Sequence, residues 1–269
     1  MARTVPTDEK PSLSAYPAWL RRRFRTHRGL AEGKAYYDAV TLSVVDQFSN
    51  SLFWRRLGEM LPEFETRYSL QTGYGLLTVP ERPRLLTKDW DSFLAKTYRR
   101  NILRNDHFPG PPAEGWLLPP EWFSVIKDLV RTTFVVKYMD GVHELGLAIE
   151  ELAREAGLGC ESTLEATAAG YFAGHVVVTS DFGVPSVGWQ VDRRPVSVEL
   201  QVTTQVQEVL RSLIHLNYEV DRMRPEDDET WKWDPDSRSF AANYLGHILH
   251  YVDGRIMNIR KLDREASES

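Results

Sequence analysis

The chain has 269 residues, with 33 Lys and Arg against 38 Asp and Glu, a formal net charge of −5 and 42% hydrophobic residues. This is a globular composition with room for one sizeable core, and its mild acidity excludes a generic polyanion binder, so any phosphate-binding surface has to come from local clusters of Lys and Arg. No apolar stretch reaches the roughly 20 residues that span a bilayer, no apolar leader opens the chain, and the single cysteine, Cys160, excludes an internal disulfide or a cysteine zinc cluster, so a cytoplasmic protein is expected, with no membrane partner.

Residues 1–14 are polar, with two prolines, and are expected to form a flexible tail. A basic run follows: Arg21, Arg22, Arg23, Arg25, His27 and Arg28. From Ala35 to Tyr68 apolar residues return at helical spacing, among them Val40, Val44, Phe48, Phe53, Leu57 and Leu61, which predicts one long helix or two, interrupted near Pro62. A turn-rich segment leads to a second helical stretch, Lys88 to Arg104, and then to a Pro/Gly-rich loop at 108–122. The β-branched and aromatic run 131–138 reads as a strand, and Val142 to Ala156 as a helix ended by Gly157. Further strand-like runs are Thr163 to Ala168, Tyr171 to Ser180 and Val196 to Thr203, followed by a helix from Gln205 to about Arg222. An acidic turn at 225–229 precedes a last helix from about Phe240 to Leu262. The order suits an α+β or α/β protein better than an all-α one; α+β is expected, with a mixed β-sheet of about five strands flanked by helices. Its organisation is expected to be a helical region at 15–75, a core at 76–222 and a C-terminal helical extension at 223–269.

Four groups of residues have chemical potential. Lys88, Ser92 and Lys96 fall at i, i+4 and i+8, with Arg99 and Arg100 following. On a helix this spacing aligns two ammonium groups and a hydroxyl along one face, a stripe suited to a triphosphate, although a solvated face has the same pattern. Asp128 stands just ahead of a strand, where a carboxylate can hold Mg²⁺ or merely cap the preceding segment, and Arg131 is close behind. Tyr171 and His175 lie four apart as another strand begins, placing a ring for base stacking near a group for phosphate contact; a structural His is the plainer reading. Glu199 and Gln201 alternate with Val198, Leu200 and Val202, so period two puts the polar pair on one face of the strand. If that face lines a cleft with Asp128, the two carboxylates can share a metal ion and one can serve as general base. The next helix carries His215 and Tyr218, and the last carries His247 and His250. The usual phosphate-loop, dinucleotide, zinc-protease and serine-hydrolase motifs are missing.

In this order the groups resemble the synthetase domain of the RelA/SpoT family, the enzymes that make (p)ppGpp-type alarmones, over about Leu76 to Arg222. The resemblance implies a nucleotidyltransferase-like synthetase fold and Mg²⁺-dependent transfer of a pyrophosphoryl group from ATP to the 3′-hydroxyl of GDP, GTP or another purine nucleotide. It implies ATP phosphates on Lys88, Ser92 and Lys96, with help from Arg99 or Arg131. Mg²⁺ would sit on Asp128 and Glu199, with Glu199 as base, and the acceptor on Tyr171, His175, Gln201 and His215. Three arginines usual in the family are replaced, by Leu86, Thr133 and Thr203. Arg84, Arg99, Arg100 and Arg131 are candidates to compensate from shifted positions.

The chain is similar to a small, single-domain, synthetase-only member, and oligomeric state is left open, a homo-oligomer included. Some small members are toxins, and some of these pyrophosphorylate the tRNA 3′ end. Arg21, Arg22, Arg23, Arg25 and Arg28 give that alternative a physical basis, since local basic patches contact phosphate backbones. The replaced arginines motivate a third alternative, a catalytically silent nucleotide-binding regulatory domain.

Overall fold

The computed structural model describes residues 9–24, 30–118, 121–185, 190–221 and 230–267; at 30–32, 214–221 and 267 it describes the backbone alone. In chain order the elements are α1 (Tyr16–Phe24), α2 (Leu30–Ser49), α3 (Leu52–Thr72), β1 (Leu86–Thr87), α4 (Trp90–Tyr98) running into a π-helical turn (Arg99–Leu103), and α5 (Trp122–Val125). Then come β2 (Val130–Val136), α6 (Asp140–Glu155), β3 (Gly159–Ala166), β4 (Phe172–Pro185), β5 (Val191–Thr204), α7 (Gln205–Asp221), a 3₁₀ turn (Thr230–Trp233) and α8 (Arg238–Ser267). The five strands form one mixed sheet in the order β1-β2-β5-β4-β3, with β2 and β5 parallel and the other pairs antiparallel.

Strand periodicity divides the sheet into an apolar and a polar face. Val130, Phe134 and Val136 of β2, Val198, Leu200 and Val202 of β5, and Val176 and Val178 of β4 are buried on the apolar side with residues of α2, α3 and α6. The α6 stripe is Leu145, Ile149 and Ala153, and Gly157, at φ +70°, ends the helix as expected. A smaller cluster, Tyr16, Leu20, Tyr98 and Ile102, seats α1 on α4 and its π turn. Near the N-terminus, Lys10 donates to the Leu103 carbonyl (3.0 Å) and the Tyr98 hydroxyl to that of Pro11 (3.0 Å). Among the described residues no helix is long and apolar enough to cross a membrane.

Three local differences from the expected elements have clear causes. The first helical stretch breaks at Asn50–Ser51, not near Pro62, because the Ser51 hydroxyl caps α3 by accepting from Trp54 N (3.1 Å). Pro62 lies inside α3, whose buried stripe of Phe53, Trp54, Leu57, Leu61, Phe64 and Tyr68 continues on both sides of it. Lys88 precedes its helix rather than lying on it: Asp89 is the N-cap, accepting from Ser92 N (2.9 Å), while Lys88 N bonds the Leu129 carbonyl (2.9 Å) beside the short β1–β2 pair. The β4–β5 hairpin runs on through Asp181↔Pro195 to Pro185↔Val191, a stretch in which Asp192, Arg193 and Arg194 interrupt any apolar pattern.

The C-terminal helix is tied to the end of the sheet. Thr204 donates to Asp253 Oδ2 (2.7 Å) and Gln207 to the Gly246 carbonyl (3.0 Å). Asp253 is 2% exposed, and its Oδ1 is buried with no hydrogen-bond partner among the described residues. Burial raises its carboxyl above the ordinary value of 3.8, against the opposing effects of Thr204 and His250. A group with a raised folded pKa contributes fully below its unfolded value and loses that contribution as pH climbs through the folded one. Asp253→Asn is therefore expected to raise Tm at pH 7–8 by roughly 2–4 °C, with the gain shrinking toward pH 4 in a series of thermal melts.

Candidate functional site

The polar face of the sheet carries Arg131 and Thr133 from β2, Glu199, Gln201 and Thr203 from β5, His175 and Val177 from β4, and Glu161, Thr163 and Glu165 from β3. Register aligns them in rows: Arg131 opposite Glu199 and Glu199 opposite Val177, then Thr133 opposite Gln201 and Gln201 opposite His175. They floor a cavity of about 510 Å³ whose walls include Lys96 of α4, Asp128, Tyr171, Gln207 and Arg211 of α7, and Asn243 of α8.

A tight turn sets Tyr171 at the rim. Gly170 N donates to the Thr167 carbonyl (3.0 Å) and Tyr171 N to the Thr167 hydroxyl (3.1 Å). Gly170 has φ +75°, and a Cβ there would lie 2.2 Å from the Asn243 carbonyl oxygen, so only glycine allows α8 to approach this closely. His247 Nε2 meets the Ala168 carbonyl (3.0 Å), and the His250 ring stacks on Phe172 (3.7 Å between centroids). These two histidines thus brace the turn.

Two networks organise the charge. Asp128, 8% exposed, accepts from Lys88 Nζ (3.0 Å) and Lys96 Nζ (2.7 Å). Burial by itself would raise the Asp128 carboxyl, but Lys96 and Lys88 hold it well below the ordinary carboxylate range. Burial lowers the pKa of Lys88, which is 4% exposed, and Asp128 opposes that shift. In the second network His175 Nδ1 donates to Glu199 Oε1 (2.8 Å), and Gln201 donates to Glu199 Oε2 (2.8 Å). His175 Nε2 lies 3.1 Å from both the Tyr171 hydroxyl and Glu165 Oε2. Burial would lower the His175 pKa, yet the hydrogen bond and charge of Glu199, with Glu165 and Asp128, raise it overall; burial would raise Glu199, and His175 brings it down. Each member of the pair thus favours the charged form of the other.

Of the sequence-predicted residues, Lys96, Asp128, Arg131, Tyr171, His175, Glu199 and Gln201 line one cavity. Lys88 stands behind it, bonded to Asp128. Ser92 and Arg99 do not line it; Arg99 is buried in the π-helical turn. His215 lies in α7, but its side chain, like that of Tyr218, is outside the described residues, as are Arg25, Arg28 and the acidic turn. Arg21, Arg22 and Arg23 are exposed on α1, with Arg23 donating to the Pro109 carbonyl (3.2 Å).

Sequence reasoning missed Glu161, Glu165, Gln207, Arg211 and Asn243. The alternation Glu161-Thr163-Glu165 on β3 and the i, i+4 spacing of Gln207 and Arg211 on α7 are the signals that could have found them. With these residues included, the lining is not a purely cationic cleft. Lys96, Lys127, Arg131 and Arg211 face Asp128, Glu161, Glu165 and Glu199, so charge is balanced and the acidic members of β3 stand at the sheet edge farthest from Arg131.

Glu199 and Asp128 line one space with carboxylates, the donor type that Mg²⁺ takes, and each of their four oxygens already accepts from Lys88, Lys96, His175 or Gln201, so a metal ion would share these oxygens with those donors. Among the described residues no group of three or more His, Cys, Asp or Glu forms a protein-only metal cage.

No protein-family model matches the chain, and neither does any curated protein. Among solved structures it is similar to small alarmone synthetase 1 from Bacillus subtilis, at 16% identity and a TM-score of 0.48, covering 79% of this chain and 94% of that one. It is also similar to a GTP pyrophosphokinase family protein from Streptococcus pneumoniae, at 17% identity and a TM-score of 0.48, covering 82% and 95%. The Bacillus subtilis enzyme bound to its product pppGpp matches at 14% identity and a TM-score of 0.45, covering 81% and 97%.

Proposed function

We propose that the chain is a nucleotide pyrophosphokinase, transferring pyrophosphate from ATP to the 3′-hydroxyl of a purine nucleotide such as GDP or GTP. The observation that carries this reading is the convergence of the Tyr171/His175 pair, the Glu199/Gln201 strand pair and the Lys96/Asp128 ion pair on one cavity, although the three come from separate parts of the chain. Such a transfer is mostly positioning and charge neutralisation.

In the proposed reaction the acceptor base rests on the Tyr171 ring, and His175, whose charged form Glu199 and Glu165 favour, faces its phosphates. Glu199, kept ionised by His175 and Gln201, accepts the proton of the 3′-hydroxyl. The 3′-oxygen forms a bond to the β-phosphorus of ATP as the bond from that phosphorus to the oxygen bridging it to the α-phosphate breaks, and AMP leaves with that oxygen. Lys96 and Arg131 offset charge on the ATP phosphates. Mg²⁺, which Asp128 and Glu199 would hold through their carboxylates, would supply further charge neutralisation when bound.

Incubating the protein with Mg²⁺, GDP or GTP and ATP labelled in its β-phosphate is expected to produce labelled acceptor and AMP in equal amounts. Label found on tRNA instead would move the acceptor to the tRNA 3′ end. Nucleotide binding without any transfer would favour the silent regulatory domain, and absence of both would end the reading.

A further inference from the structure

We propose that Arg211, on α7, is a phosphate-binding guanidinium of the cavity, taking over from a different element the role left open by the neutral Thr133 and Thr203. The inference rests on reading the cavity as a nucleotide site, and four observations support it.

First, Arg211 lines the cavity along with Lys96 and Arg131. Second, it is anchored from behind: Nε and Nη2 donate to the two oxygens of Glu208 at 2.8 and 2.9 Å, a fork that fixes the plane of the guanidinium. Third, its remaining contacts are long and made to neutral acceptors, Nη1 to Gln201 Oε1 at 3.4 Å and Nη2 to Thr133 Oγ1 at 3.3 Å. Those donors are beyond the preferred hydrogen-bond distance, so an anionic oxygen entering the cavity can replace them with shorter, charge-assisted bonds. Fourth, the contact with Thr133 puts the guanidinium beside a β2 side chain that lies two residues beyond Arg131 on the same sheet face. Together with Lys96 these residues form a cationic side to the cavity, opposite the β3 glutamates, and phosphates belong on that side.

The test compares wild type, Arg211→Ala, Arg211→Lys and the double variant Arg211→Ala/Thr133→Arg. Binding of a non-hydrolysable ATP analogue and of inorganic tripolyphosphate is read by calorimetry, and folding by thermal melts. Arg211→Ala is expected to weaken both ligands by about tenfold to a hundredfold. Arg211→Lys should recover little, since a point charge does not reproduce the planar fork. Thr133→Arg in the Ala background should restore most of the loss, because its side chain enters the volume that Arg211 vacates. Wild-type affinity in a folded Arg211→Ala variant would overturn the proposal, as would a folded double variant no better than the single one. If wild type binds tripolyphosphate but no nucleotide, the nucleotide reading falls; loss of tripolyphosphate binding in Arg211→Ala would then still uphold the role of Arg211, and unchanged binding would overturn it.

Discussion

Glu199→Gln is expected to lower pyrophosphoryl transfer by roughly 10²- to 10⁴-fold, the range that one positioned general base contributes, while leaving the protein folded. The substitution keeps the size of the side chain, and its carbonyl oxygen can still accept from His175 Nδ1, which now lies 2.8 Å from Glu199 Oε1. What disappears is the negative charge, the capacity to take a proton and the oxygen that accepts from Gln201 Nε2. The carboxylate is 12% exposed at its side chain and held ionised by its partners, so wild type should keep its base form throughout the neutral range. Single-turnover transfer with saturating ATP and acceptor is the measurement that isolates this effect. Transfer at the wild-type rate would remove Glu199 from the proton-accepting role and leave it as a strand-face partner of His175.

The largest effect on stability is expected at Asp128. Replacing it with Ala strips the buried Lys88 ammonium, 4% exposed, of its carboxylate, and breaking a buried pair on one side costs about 3–5 kcal/mol. Lys96 suffers far less, because its side chain is 39% exposed and water can take over. Chemical denaturation should reveal two further signatures. The Asp128→Ala variant should regain stability at alkaline pH, where Lys88, its pKa already lowered by burial, sheds the unpaired charge. The double variant Lys88→Met/Asp128→Leu should recover most of the loss, because an apolar pair of similar volume avoids desolvating two ions. A single variant as stable as wild type would mean that water reaches Lys88.

These expectations place Lys88 differently from Lys96, a distinction that spacing alone cannot make. At i and i+8 the two lysines share a face only if the helix includes both, and Asp89 starts the helix one residue after Lys88. The β-sheet was more legible. Two-residue alternation in Val198-Glu199-Leu200-Gln201-Val202 dictates which side chains meet the core and which face the cavity, and the structure has Val198, Leu200 and Val202 fully buried. Four of the five strands coincide with runs of strand character in the sequence; the fifth, β1, is two residues long and its pairing depends on β2 rather than on its own sequence. Arg211 was harder to read for a different reason. On α7 the cavity-facing positions Gln207, Leu210 and Arg211 are mixed in type, and the exposed positions Val209 and Leu213 are apolar, so amphipathic patterning points the wrong way. The expected break at Pro62 failed because the apolar stripe of α3 outweighs one missing backbone donor, whereas Ser51 offers a capping hydroxyl eleven positions earlier.

The contact between Gly170 and the backbone of α8 at Asn243 and Gly246 also orders events during synthesis. A nascent chain that has emerged as far as Asp221 has all five strands, Asp128, Tyr171, His175 and Glu199. It still lacks the wall that clasps the Tyr171 turn, supplied by residues more than seventy positions downstream of that turn. The strands therefore leave the ribosome before the wall that completes the cavity does.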